Sequence, residues 1–276
     1  MKSRRLERII LYDEDVSDKL QIREIAEYLR GKLSEVQVES RGTPFASCPD
    51  KSSDFARKLA SIKIQDIQRE VVSENNPLYG EIQFEKRRIM GETRGFGVLY
   101  DGFHLQRIFS ELIPQMERNL GFVHIFLTNR LFATWDENDK RYHLRTSVYG
   151  VCSIISTTGL VEAPARPKEY YLLKNQYEML GRDPLELKDR FKGRFIDYDD
   201  ERLTEVAKGY VMQAFFYTLT GNPFCEDRGC RLYNAHWQEE LIFAQLESEY
   251  EFCQRHREFL SDAFEKCKFQ EVKKVI

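Results

Sequence analysis

Gly221-Asn-Pro-Phe-Cys225-Glu-Asp-Arg-Gly-Cys230, and further on Cys253-Gln-Arg-His256, is the part of this 276-residue sequence that decides how the rest is read. Two cysteines with four residues between them fit a short loop that folds back on a metal ion, and Gly229 eases the turn. Cys253 and His256 share a face if their segment is helical. Each pair supplies half of a tetrahedral site. Three thiolates and one imidazole form an established structural zinc set, and four protein ligands leave no position open for water. Such a site ties a loop to a helix, and its binding free energy becomes folding free energy. The opposing reading is inert core cysteines and a surface histidine. It fits the polar Glu-Asp-Arg-Gly loop poorly, because free cysteine is buried mainly as a small apolar side chain.

Two rivals for the site are visible. Cys267 follows Cys253 by 14 residues, about 21 Å along a continuous helix and out of reach of the same ion. His236 precedes a helix close to Cys230 and ranks second to His256 for the fourth position. Cys152 stands among apolar neighbours and is read as core. Cys48 beside Pro49 carries no mark of reactivity.

Outward from the cysteines the chain is helical. Asp199 and Asp200 can cap a helix that runs to about Leu219 and stops at Gly221-Asn-Pro. Val211, Ala214, Phe215, Phe216, Tyr217 and Leu219 cover nearly all its faces, so this helix is expected to be deeply buried. Asn234 can cap a helix through Trp237, Leu241, Ile242 and Leu246. A last helix carries Tyr250, Cys253, His256, Leu260 and Phe264. Toward the N-terminus strands and helices mix. Arg8 to Glu14, Val36 to Ser40, Gly95 to Tyr100, Gly121 to Thr128, Tyr142 to Val148 and Gly150 to Ile155 read as strands. Leu20 to Leu29, Phe55 to Ile64 and His104 to Ile113 have helical spacing, and Asp136-Glu-Asn-Asp139 reads as a turn. This is an α/β (α+β) class with a mixed sheet. It is organised as one domain over residues 1–276, sheet-rich over 1–195 and helical and metal-binding over 196–276.

Composition narrows the function. Acidic residues number 45 against 42 basic ones, a net charge of -3 with both signs mixed along the chain, which argues against a nucleic-acid partner. Lys2, Arg4 and Arg5 are too few and too terminal to change that. The apolar run Ile9 to Tyr12 is too short for a signal segment, and nothing approaches the roughly 20 apolar residues of a membrane span. A cytoplasmic location is expected, where thiols stay reduced and clustered cysteines point to metal.

The cysteine pattern resembles the C-terminal signature of the archaemetzincins, zinc peptidases of the metzincin group. Their pattern reads His-Glu-x-x-His-x-x-Gly, three residues, Cys, four residues, Cys-x-Met, then a distant Cys-x-x-Cys. The whole chain also resembles a family of archaeal proteins described as metallopeptidases. The resemblance implies a zincin-like fold and a structural zinc held by the cysteines. Gly221, Cys225, Cys230 and Cys253 match, and His256 replaces the last cysteine with another zinc ligand. It also implies that the catalytic half is lost. Ala214 and Thr218 stand at the first two catalytic histidines, Phe215 at the general-base glutamate, Phe224 at the third histidine and Leu232 at the methionine. A catalytic zinc needs three such ligands, an open water position and a carboxylate.

Other groups are weaker candidates. His236, Glu239 and Glu240 near one helix start, with Asp101 and His104 after a strand, form a pool for a relocated metallohydrolase site. His124 and His143 read as structural. If a zincin groove persists, Gly150 to Leu160 is expected to line it. The preferred reading is one structural zinc on Cys225, Cys230, Cys253 and His256 in a non-catalytic protein that binds a peptide or protein partner. The alternatives are an active hydrolase with a moved site, or a zinc-stabilised nucleic-acid module.

Overall fold

The computed structural model describes residues 6–14, 18–47, 49–71, 76–93, 95, 97–183 and 186–261. Cys48, Cys267, Phe264 and the basic residues Lys2, Arg4 and Arg5 lie outside them. The apolar run at the start forms β1 (Arg8–Asp13). It is followed by α1 (Ile22–Lys32), β2 (Gln37–Arg41), α2 (Ser52–Ser61) and α3 (Tyr79–Ile89). Next come β3 (Leu99–Asp101), α4 (Gly102–Ser110), β4 (Phe122–Thr128), β5 (Leu131–Asp136), β6 (Arg141–Arg145), β7 (Ser147–Val148) and β8 (Cys152–Ser156). The larger sheet has the order β2-β1-β4-β8-β7. Its first four strands are parallel, and β7 closes one end antiparallel to β8.

Parallel strands are covered on both faces, and β1 shows how. Ile9 and Leu11 point into one core with Ile25 and Leu29 of α1. Ile10 and Tyr12 point into the other, with Phe55 of α2 and Leu105 and Phe109 of α4. The chain steps from β1 to β2 in one direction and from β4 to β8 in the other, so the connections change side between β1 and β4. A second sheet, β3-β5-β6, joins a parallel and an antiparallel pair.

The C-terminal half begins with α5 (Thr157–Glu162), α6 (Lys168–Met179) and α7 (Leu187–Arg190). It then enters α8 (Leu203–Thr220), whose residues from Leu203 to Phe216 are nearly all buried. This helix packs across the face formed by Ile9, Leu11, Val123 and Ile125. The burial expected from sequence holds through Phe216, whereas Tyr217 is half-buried and Leu219 is exposed at the end of the helix. Among the described residues no helix is long and apolar enough to cross a membrane.

Several boundaries differ from expectation. Leu131–Asp136 is a strand that the sequence reading did not include, and the expected turn follows it. Tyr142 to Val148 is two strands in different sheets, and the strand expected from Gly95 starts only at Leu99. The helix expected from Asn234 begins at Gln238 as α9 (Gln238–Ile242), because Glu240 accepts from the backbone N–H groups of His236 and Trp237 and holds them outside the helix. It runs into a π-turn, Phe243–Glu247. The last helix starts not at Tyr250 but at residue 254. Asp199 and Asp200 precede α8 without capping it: Asp199 takes φ 55° and Asp200 binds Arg202.

Candidate metal centre

Gly221 ends α8 in the left-handed conformation, φ 75°, with its N–H on the Tyr217 carbonyl. The chain turns back, and Cys225 N–H donates to the Leu232 carbonyl at 2.9 Å. The loop between them is held by Asp227, whose carboxylate accepts from Gly229 N–H at 2.9 Å and from the Tyr250 hydroxyl at 2.7 Å. A Cβ on Gly229 would lie 2.7 Å from the Tyr250 hydroxyl and 2.8 Å from Ser248 Oγ, so only glycine lets the loop pass this close. Arg231 N–H donates to the Glu251 carbonyl and brings the second half of the site alongside. Cys253 then caps the helix over 254–261, its carbonyl accepting from His256 and Arg257.

These contacts bring the four side chains together. Cys225 and Cys253 Sγ are 3.8 Å apart, Cys230 Sγ is 3.5 Å from His256 Nδ1, and Cys253 Sγ is 3.1 Å from the same nitrogen. All four donor atoms lie within 4.8 Å of one another. A tetrahedral zinc with metal–sulfur bonds of about 2.3 Å sets its sulfurs about 3.8 Å apart, so the spacing fits one ion with all four as ligands. The cluster is buried except for Cys253, which is partly exposed. Burial pushes the Cys230 thiol up to about 12 and raises Cys225, while it lowers His256. Neutral imidazole is the ligating form, and a divalent cation reverses the burial effect on the thiols by stabilising thiolate. Asp227 N–H donates to Cys225 Sγ at 3.4 Å and would support that charge. The site also rests on α8: the His256 ring meets Phe216 edge-on, centroids 5.0 Å apart.

The positions beside α8 have a different character. Ala214 and Phe215 are buried, and Thr218 spends its hydroxyl on the Ala214 carbonyl. Next to them is a cleft of about 150 Å3, lined by Leu144 to Ser147, Tyr210, Gln213, Phe224 and His236. Tyr149 donates to Gln213 Oε1 at 2.5 Å, and Gln213 Nε2 donates to the Tyr233 carbonyl. The groove wall is thus the β6–β7 segment, not Gly150 to Leu160, because β8 is buried along its whole length.

The pool for a relocated site is dispersed into local roles. Asp101 caps α4 through His104 N–H, pairs with the His104 ring and accepts the Tyr142 hydroxyl. Glu240 caps α9, and Glu239 pairs with Arg194. His236 stays outside the cysteine cluster. His124 is fixed between the Tyr12 hydroxyl and the Glu117 carbonyl, and His143 pairs with Asp139. Among the described residues, the cysteine cluster is the one group suited to a metal. Sequence reading missed Glu251, which accepts from Tyr28 and pairs with Lys32, locking α1 to the loop before Cys253. No local signal marks it.

Among curated proteins, none matches the chain. Two solved structures are similar. One is an archaemetzincin from Methanopyrus kandleri, 12% identical over 96% of this chain and 98% of that one, with a TM-score of 0.45. The other is a zinc-dependent peptidase from Methanocorpusculum labreanum, 15% identical over 92% of this chain and 99% of that one, with a TM-score of 0.39. Residues 5–263 match the profile of a family described as "Probable metallopeptidase family (DUF6775)", and the chain belongs to that family.

Proposed function

We propose that the protein is a non-catalytic member of its family, stapled by one zinc ion on Cys225, Cys230, Cys253 and His256, that uses the cleft beside α8 to bind a peptide or protein. The observation that carries this reading is the contrast between two neighbouring places. The four-ligand cluster has the donor set and spacing of a closed structural site. Ala214, Phe215, Thr218 and Phe224, which stand at the positions of catalytic groups in the resemblance, are apolar or bonded to backbone. They offer no metal ligand and no base. The cleft supports binding without chemistry: β7 is the terminal strand of its sheet, and the segment leading into it forms one wall. An extended peptide can add to such an edge.

Metal counting by mass spectrometry, paired with a peptidase assay on denatured casein, tests the reading. One zinc per chain, lost in Cys225→Ser, with no hydrolysis, is the expected result. A second zinc that survives Cys225→Ser, or hydrolysis abolished by His236→Ala, would overturn it.

A further inference from the structure

At the carboxyl ends of β1 and β4 lies a group of charged side chains that the metal centre and the cleft do not use. Open parallel sheets bind ligands where the chain connections change side, outside the carboxyl ends of the strands. Here that point falls between Glu14, which follows β1, and Thr128-Asn129-Arg130, which ends β4. Arg130 is fully buried, with Nη1 2.7 Å from Glu85 Oε2 and Nε 2.9 Å from Glu14 Oε1. Lys63 reaches Glu85 Oε1 at 2.9 Å, and the Tyr100 hydroxyl donates to the same oxygen at 2.8 Å. Burial alone would raise Glu85, but Arg130 and Lys63 outweigh it and hold the carboxyl below its ordinary range, so the carboxylate is charged.

Among the described residues those two carboxylates pair directly with Arg130 and Lys63, and Arg88 has no ion pair of its own. Its residue is 7% exposed, and among the described residues its hydrogen-bond acceptors are neutral: Nη1 donates to the Tyr100 hydroxyl at 2.9 Å and Nη2 to Asn129 Oδ1 at 2.5 Å. Nε has no hydrogen-bond partner among the described residues. A guanidinium has five N–H donors in a planar fork, so three of them are unspent among the described residues, in a place where a bare charge is costly. On one side the chain approaches without a side chain: a Cβ on Gly95 would stand 2.6 Å from Arg88 Nη1.

We propose that Arg88, with Asn129 and Arg130 behind it, forms an anion site at the switch point of the sheet that takes a phosphate-type oxyanion. The oxyanion supplies a direct counter-charge that no described residue gives Arg88 and accepts the free N–H groups, matching the fork of the guanidinium. The site is independent of the zinc and of the cleft.

Thermal unfolding of the zinc-loaded full chain, in sodium phosphate against sodium chloride at matched ionic strength and pH, tests it. For the wild type, the melting temperature should rise with the logarithm of phosphate concentration once binding saturates, and chloride should not reproduce the rise. Arg88→Met should keep the fold and need at least about tenfold more phosphate for the same shift, the size expected for losing a charged hydrogen-bonding group. If that variant fails to fold, phosphorus NMR line broadening of phosphate by the wild type gives the same answer. Identical melting in phosphate and chloride, an unchanged phosphate response in Arg88→Met, or no line broadening would overturn the proposal.

Discussion

Gly209 lies in α8 where the π-turn crosses it, and its replacement by alanine puts a number on how tightly the region of the cysteine cluster is fastened to the core. A Cβ there would overlap Gln245 Oε1 and stand 2.6 Å from Gln245 Cδ and 2.8 Å from Nε2. Gln245 cannot swing away cheaply. It is 4% exposed, and its Nε2 donates to the Arg231 carbonyl, one residue past Cys230, at 2.8 Å. Overpacking a filled core costs about 2 kcal/mol. Releasing the amide leaves a buried carbonyl unsatisfied, at about 2 kcal/mol more. Against this, alanine favours a helix interior over glycine by about 1 kcal/mol. Gly209→Ala should therefore destabilise the zinc-loaded protein by about 3 kcal/mol in urea unfolding. Adding Gln245→Ala should relieve the clash and show a coupling of about 2 kcal/mol between the sites. If Gly209→Ala is neutral, or stabilises by the helix-propensity term alone, α8 and the π-turn do not pack as described.

Three further outcomes follow from the same contacts. Cys230→Ser, or chelation of the wild type, should cost more than about 5 kcal/mol, because the binding free energy of a structural zinc is folding free energy; limited proteolysis should then cut between residues 221 and 261, and an uncut C-terminal region would refute this. Gln238 accepts Ile196 N–H and donates to the carbonyls of Leu160 and Val161, so Gln238→Ala should cost about 3 kcal/mol in chemical denaturation, against well under 1 kcal/mol if these bonds are idle. Burial lowers the His124 pKa below its ordinary 6.5. The folded state then binds fewer protons than the unfolded one just below that value, and stability falls as pH drops from about 6.5 toward the folded pKa, by at most about 1.4 kcal/mol per pH unit. His124→Gln should remove that part of the slope, and an unchanged slope would show that the ring is not held neutral.

What could be read from the sequence and what could not have physical reasons. The buried strands at Ile9 to Tyr12 and Val123 to Leu127 announce themselves, because a strand covered on both faces is a continuous apolar run. Gly221 was legible as a helix stop since only glycine enters the left-handed region without strain. Leu131–Asp136 was not legible as a strand because Thr134 and Asp136 interrupt its apolar residues; it forms one arm of a hairpin whose turn at Asp136 to Asp139 was legible, with Asp136 accepting from Asn138 and Asp139 N–H. α6 was invisible because Tyr170 is its only buried residue and it has no apolar stripe. The four residues of the cysteine cluster were legible as a set because ligand types are few and their spacing is constrained. The charge group around Arg130 was not. Arginine in a sequence reads as surface, and its partners Glu14 and Glu85 lie 116 and 45 residues away.

Zinc K-edge X-ray absorption on the purified protein measures the first coordination sphere directly. The account predicts three sulfurs at about 2.3 Å and one nitrogen at about 2.0–2.1 Å, with no water oxygen. A sphere dominated by nitrogen or oxygen, or one with an open or water-filled position, would contradict it.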